Sequence, residues 1–330
     1  MLGAMDPVTL LWVVFALSVV LVCALDLCVI TRRDSFMGAA PALRWTGIWI
    51  AVALAFGALV FFLHPKGPEV ALLFVTGYLT EYSLSVDNLF VFILIFSVMK
   101  VPPGAQPKLI KLGIFLSIVL RIVFILFGVA LVQRFHWLIS LFGVLLIWTA
   151  WKMLASVAEE PADPRNNFFY RAATRIFPIH EDGPSSTRLV VRHEGRLFVT
   201  PLFLVFLVIG STNVVFALDS IPAIMGISTD PFVVITSSVF AVLGLGSLFF
   251  AIRGVMGMFK FLQHGVSVIL FFIGGKMVAD LYGPGRAWFQ DHLAVPLLFI
   301  AVVLAVSVVL SVWHNRAFPA GKNGRSKDPV

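Results

Sequence analysis

Polar positions along this chain are few and clustered. Uncharged apolar runs of about 20 residues alternate with short segments that hold most of the Lys and Arg. A bilayer core about 30 Å thick needs about 20 helical residues to cross it, and lipid offers the backbone no hydrogen-bond partner, so such runs predict spanning helices. The pattern predicts helices over 8–30, 44–63, 69–99, 109–132, 135–154, 197–227, 231–252, 262–281 and 292–313. The expected fold is therefore an all-α, polytopic membrane helix bundle of about nine transmembrane helices. It divides into two amino-terminal helices (1–68), a group of three (69–154), a polar loop (155–196), a second group of three (197–281), and a last helix with its tail (282–330).

Composition agrees with this reading. Apolar residues make up 60% of the chain and charged residues only 12%, against about a quarter charged in a soluble domain. Mean hydropathy is +1.00. The 32 Phe and 8 Trp suit a lipid-facing surface and interfacial belts. The net charge of +7 comes from Lys and Arg spread through short loops and forms no patch for nucleic acid. Arg32, Arg33, Lys100, Lys108, Lys111, Arg165, Arg171 and Arg175 all fall on one side, which the positive-inside rule makes cytoplasmic; the amino terminus is then outside and the carboxy terminus cytoplasmic. The run from Val8 to Ile30 lacks a preceding basic region and reads as a retained anchor. Cys23 and Cys28 stand five apart in that run, a spacing that matches no metal or disulfide pattern. No nucleophile with a base, no catalytic metal motif and no nucleotide fingerprint appears, so an enzyme is not expected.

Within the apolar runs, two polar stretches resemble each other. Thr80-Glu81-Tyr82-Ser83-Leu84-Ser85-Val86-Asp87-Asn88 aligns without a gap to Thr212-Asn213-Val214-Val215-Phe216-Ala217-Leu218-Asp219-Ser220. Three helices separate the two, so they cross the membrane in opposite directions. That arrangement predicts an inverted repeat relating helices 3–5 to helices 6–8, with a site near the midplane between them. An ionised carboxylate at the centre of a membrane helix costs about 2.5–3.5 kcal/mol, so Asp26, Glu81, Asp87 and Asp219 need water, a partner or a cation. Thr80, Ser85, Asn88, Thr212, Asn213 and Ser220 are the supporting polar groups, and Arg121 is a possible charge partner for Glu81 or Asp87. Pro222 removes a backbone donor just past the second stretch, where a break would free carbonyl oxygens. Carboxylates, hydroxyls, amides and carbonyls suit hard cations such as manganese, magnesium or calcium; zinc and copper sites are richer in Cys and His.

The segment from Gly77 to Phe92 is similar to the first signature of the TerC family, and Phe216-Ala217-Leu218-Asp219-Ser220-Ile221-Pro222-Ala223 is similar to the second. Ala24 to Leu27, Glu194 to Leu197 and Phe271 to Met277 add to the resemblance, which covers roughly residues 10–312. It implies a bacterial inner-membrane protein of a family named for tellurium resistance, with Alx-type members that export manganese. Carried over by position, it assigns Asp26, Glu81, Asp87 and Asp219 to the ion pathway, with Ser85, Asn88 and Ser220 as neutral ligands. The family usually has Glu and Asp where this chain has Gly210 and Asn213, and commonly Asn and Arg where it has Ser238 and Gly246. Two acids and a base are thus missing from the second half.

The expectation is a transporter that exports a divalent metal cation, foremost manganese, by alternating access coupled to a proton or sodium ion. The metal is substrate, and no resident cofactor is expected. The contrasting expectation is a membrane scaffold or tellurite-resistance partner whose buried acids are structural.

Overall fold

Bilayer-length apolar runs become helices in a computed structural model of the chain, which describes residues 6–31, 38–135, 137–155, 163–179, 188–193, 196–253, 261–279, 288–289 and 292–317. The helices are α1 (Pro7–Thr31), α2 (Ala39–Leu63), α3 (Gly67–Val98), α4 (Gln106–Arg134), α5 (Leu138–Ala155), α6 (Phe168–Ile176), α7 (Pro201–Met225), α8 (Pro231–Leu243), α9 (Leu245–Arg253), α10 (Leu262–Ala279) and α11 (Ala294–Ala317). Among the described residues eight helices are long and apolar enough to cross a membrane, and α8 with α9, bent by 41° between them, makes a ninth when the pair is taken as one span. The bend falls at Gly244, with Gly246 two residues on. Each glycine costs a helix about 1 kcal/mol relative to alanine, and Trp49 of α2 packs beside Gly244.

Local sequence sets the helix ends. Asp230 caps α8 by accepting from the Phe232 N–H at 2.9 Å. Beyond α3, Lys100 takes the left-handed conformation at φ 52°, and Val101 N–H donates to Phe96 O at 2.9 Å. This is the Schellman closure, usually made by glycine. The expected break at Pro222 is not found: α7 continues through it to Met225. Only one turn remains beyond the ring, so the proline deprives a single carbonyl, that of Leu218, of its usual donor. The break in this half of the chain is the one at Gly244.

Helix packing follows a cross-over pattern. α3 packs on α8, α7 packs on α4, α5 packs on α10, and the pairs α3–α7 and α4–α8 close the middle. α5 and α10 approach so closely that a Cβ on Gly274 would lie 2.7 Å from Gly143 O, the small-residue contact by which membrane helices associate. Phe15, Phe56, Phe74, Phe232 and Phe240 form one aromatic cluster that joins α1, α2, α3 and α8.

The polar segment expected as a loop contains structure. Asn167 caps α6 by accepting from Phe169 N–H at 2.9 Å. Strands β1 (Val190–His193) and β2 (Arg196–Val199) form an antiparallel hairpin. Because Arg196 to Val199 is extended, the following helix begins at Pro201 and not at 197.

Candidate functional site

The two related polar stretches lie on α3 and α7, and these helices pack against each other. On α3, Thr80, Glu81, Ser83 and Ser85 are buried, as a polar face turned away from lipid must be. Arg121, from the middle of α4, is 2% exposed and Glu81 is 0% exposed. Its Nη1 donates to Glu81 Oε2 in a buried ion pair. Nη1 also reaches Ser238 Oγ of α8 at 3.0 Å, and Nη2 reaches Ser85 Oγ at 3.1 Å. One guanidinium therefore ties α4 to α3 and α8. Its planar fork of donors can serve three acceptors at once, which an ammonium on a flexible stem does less well. Glu81 Oε1 is buried and has no hydrogen-bond partner among the described residues.

The second stretch is neutral where the first is charged. Asn213, aligned with Glu81, is buried and donates from Nδ2 to Gly113 O of α4 at 2.9 Å. A Cβ on Gly113 would lie 3.0 Å from Ile209 of α7, so the two helices are close at this level. The remaining hydroxyls turn back on their own helices: Thr80 donates to Thr76 O, Thr212 to Val208 O and Ser220 to Ala217 O. A hydroxyl that donates in this way keeps lone pairs for a further donor or a cation. Asn88 is half-buried on α3.

Of the four acids named from the sequence, Glu81 has a described side chain. Asp26, Asp87 and Asp219 sit on α1, α3 and α7, and their side chains lie outside the described residues. α1 packs on α2 and α8, so the structure brings the backbones carrying Asp87 and Asp219 onto neighbouring helices and Asp26 onto a more distant one. Among the described residues no group of three His, Cys, Asp or Glu gathers as a metal cluster.

Two participants were not among the expected site residues. Ser238 appears in the sequence only as a departure from the family pattern, yet it completes the Arg121 network. Lys276 donates from Nζ to Gly226 O at 2.7 Å, where α7 ends. A cation there meets the unpaired carbonyls of a helix C-terminus. The two groups of three end alike: Lys152-Met153-Leu154-Ala155 closes α5 and Lys276-Met277-Val278-Ala279 closes α10, both helices of 18 residues. Lys152 is exposed, 5.6 Å from the Trp148 ring centre.

Residues 66–318 match the model of the integral membrane protein TerC family. A membrane protein of Myxococcus xanthus is 39% identical over 313 residues, 94% of each chain. Alx of Salmonella typhi, named as a candidate membrane-bound redox modulator, is 36% identical over 316 residues, 93% of this chain and 95% of its own. The chloroplastic thylakoid membrane protein TERC of Arabidopsis thaliana is 37% identical over 272 residues, 82% of this chain and 68% of its own. No solved structure matches the chain. With the buried motifs on α3 and α7 inside the matched region and relatives aligned over nearly its whole length, the chain belongs to the TerC family of integral membrane proteins.

Proposed function

We propose that this protein is a transporter that exports a divalent metal cation, manganese foremost, across a bacterial inner membrane, with its amino terminus outside and its carboxy terminus cytoplasmic. One observation carries the reading: α3 and α7, which bear the related stretches that include Asp87 and Asp219, pack directly on each other inside the bundle. Acids on two such helices need a counter-charge in lipid, and the ligand types nearby suit a hard cation. The exchange of partners between the halves, α3 on α8 as α7 on α4, supports an inverted repeat with its site between the two groups. The shared Lys-Met endings of α5 and α10 support it too. Export against an inside-negative potential requires energy, and no phosphate-binding loop is present, so the reading includes antiport with a proton or sodium ion. Glu81, with one buried oxygen unpartnered among the described residues, is the acid best suited to exchange a proton.

A second reading, a non-transporting scaffold or tellurite-resistance partner, is favoured by Arg121: it already balances Glu81, as a purely structural pair would. Manganese entry into everted vesicles separates the two. Asp87→Asn and Asp219→Asn chains are expected to lose flux by about 10-fold or more while keeping the unfolding midpoint of the parent chain. Undiminished flux in both variants overturns the transport reading.

A further inference from the structure

Helix α6 presents three different faces. Ala173, Tyr170 and Thr174 turn inward, and the helix packs on α7. At 100° per residue, Phe168, Ile176 and Phe169 share a second face and are 76%, 70% and 52% exposed. Arg171 and Arg175 share a third, next to the second, and both are exposed. Three large apolar side chains left bare beside two arginines would be a liability in water. At a bilayer surface the same arrangement is favourable, with apolar groups at the acyl boundary and guanidinium groups among phosphates.

The height of α6 relative to the bilayer can be read from its neighbours. α4 and α7 run parallel: Asn213 bonds Gly113 O, and Gly128 lies against Ile221 and Met225. Lys111 on α4 and Ser211 on α7, each two residues before that bond, therefore stand at about one level. Lys108 and Lys111 mark the edge of the apolar span of α4. Asn167, at the start of α6, donates to Ser211 Oγ at 2.7 Å. At the other end Phe177 meets Phe203 edge-on at 6.1 Å. α6 thus descends along α7 from the edge of the hydrocarbon through the next ~12 Å, the rise of eight helical residues. The first ~5–7 Å of that descent, which carries Phe168, Phe169 and Arg171, is the headgroup layer, and Arg175 stands one turn further out, within reach of its phosphates through its long side chain.

We propose that α6 is a lipid-reading element whose partner is an anionic phospholipid headgroup, gripped by Arg171 and Arg175 while Phe168 and Phe169 enter the acyl boundary. The proposal does not rest on the transport reading. A bimane probe tests it, placed as Phe168→Cys in a chain with Cys23 and Cys28 replaced by alanine, in nanodiscs containing brominated lipid. Phe127→Cys, at a 64% exposed position within the apolar span of α4, serves as the acyl-region control. Bromine on phosphatidylglycerol, as the minority component, is expected to quench the Phe168 probe more than bromine on phosphatidylcholine at equal fraction, because each arginine near the surface enriches anionic lipid about fivefold. Arg171→Gln with Arg175→Gln should abolish the preference and leave the Phe127 probe unchanged. Absence of quenching by either lipid means that water or protein covers the face; quenching without a charge preference means that the arginines do not read headgroups. Either result overturns the proposal.

Discussion

The packed pairs α3–α8 and α7–α4 differ in how polarity is handled inside them. Where α3 meets α8 a guanidinium from α4 enters and makes a full charge pair, Glu81 of α3 with Arg121, steadied by Ser85 of α3 and Ser238 of α8. Between α7 and α4 lies one neutral contact, Asn213 to Gly113 O. Both pairs come equally close through glycine: Gly77 against Ile224 and Ser237, Gly113 against Ile209. Close backbone approach thus makes the interface in each case, and the polar chemistry laid over it can be costly or cheap. A buried ion pair must recover the desolvation of two charges, whereas an amide donating to a carbonyl has little to recover.

The largest consequence follows from removing one member of the charged pair. Arg121→Met leaves Glu81 buried with no counter-charge, which costs about 3–5 kcal/mol when one partner of a buried pair is lost. Replacing both, Glu81→Gln with Arg121→Met, should return most of that stability, because no uncompensated charge remains. Unfolding titrations in detergent micelles measure both. If the double variant is as unstable as the single one, Arg121 holds α3, α4 and α8 together by packing and the charge comparison fails.

The helices were legible in the amino-acid sequence because a bilayer imposes one length on every span, and each predicted run holds a helix within a few residues. The bend at Gly244 was not, because residues 231–252 form an unbroken apolar run and a glycine inside such a run is also compatible with a straight helix. Nor was the identity of Arg121's partner. Glu81 and Asp87 lie six residues apart on one helix, and the height and rotation of α3 against α4 decide that the guanidinium meets Glu81. Helix α6 carried signals that went unread: an Asn cap and an alternation of aromatic and arginine residues at helical spacing, within a segment whose polarity suggested a loop. Lys276 illustrates a different limit. Its target is a backbone carbonyl, and carbonyls leave no mark in a sequence.

The neutral pair is sharpened by giving it the charge that the other pair carries. Asn213→Asp replaces the donor to Gly113 O with an acceptor and leaves a carboxylate at a buried position. The expected loss is about 2.5 kcal/mol, the lower end of the range for an acid in a membrane helix. That is less than for Arg121→Met, because a neutral acid remains open to the variant. The same unfolding titration measures it. An undiminished midpoint would mean that the second half already holds a cation able to balance the new acid, and the two halves would then be alike in charge.

The smallest effect tests whether the neutral contact carries weight at all. Asn213→Ala removes the bond to Gly113 O, yet that carbonyl lies inside α4 and keeps its own helical donor, so nothing is left stranded. Interhelical hydrogen bonds in membranes average about 0.6 kcal/mol by double-mutant cycles, and the loss here should be of that order. A midpoint shift within that range, beside the far larger shift for Arg121→Met, would make the charged pair the keystone of one half and Asn213 no more than a tether in the other. A loss several times larger would assign Asn213 a second partner, and the natural place to look for it is the buried seam that α7 shares with α3 and α4.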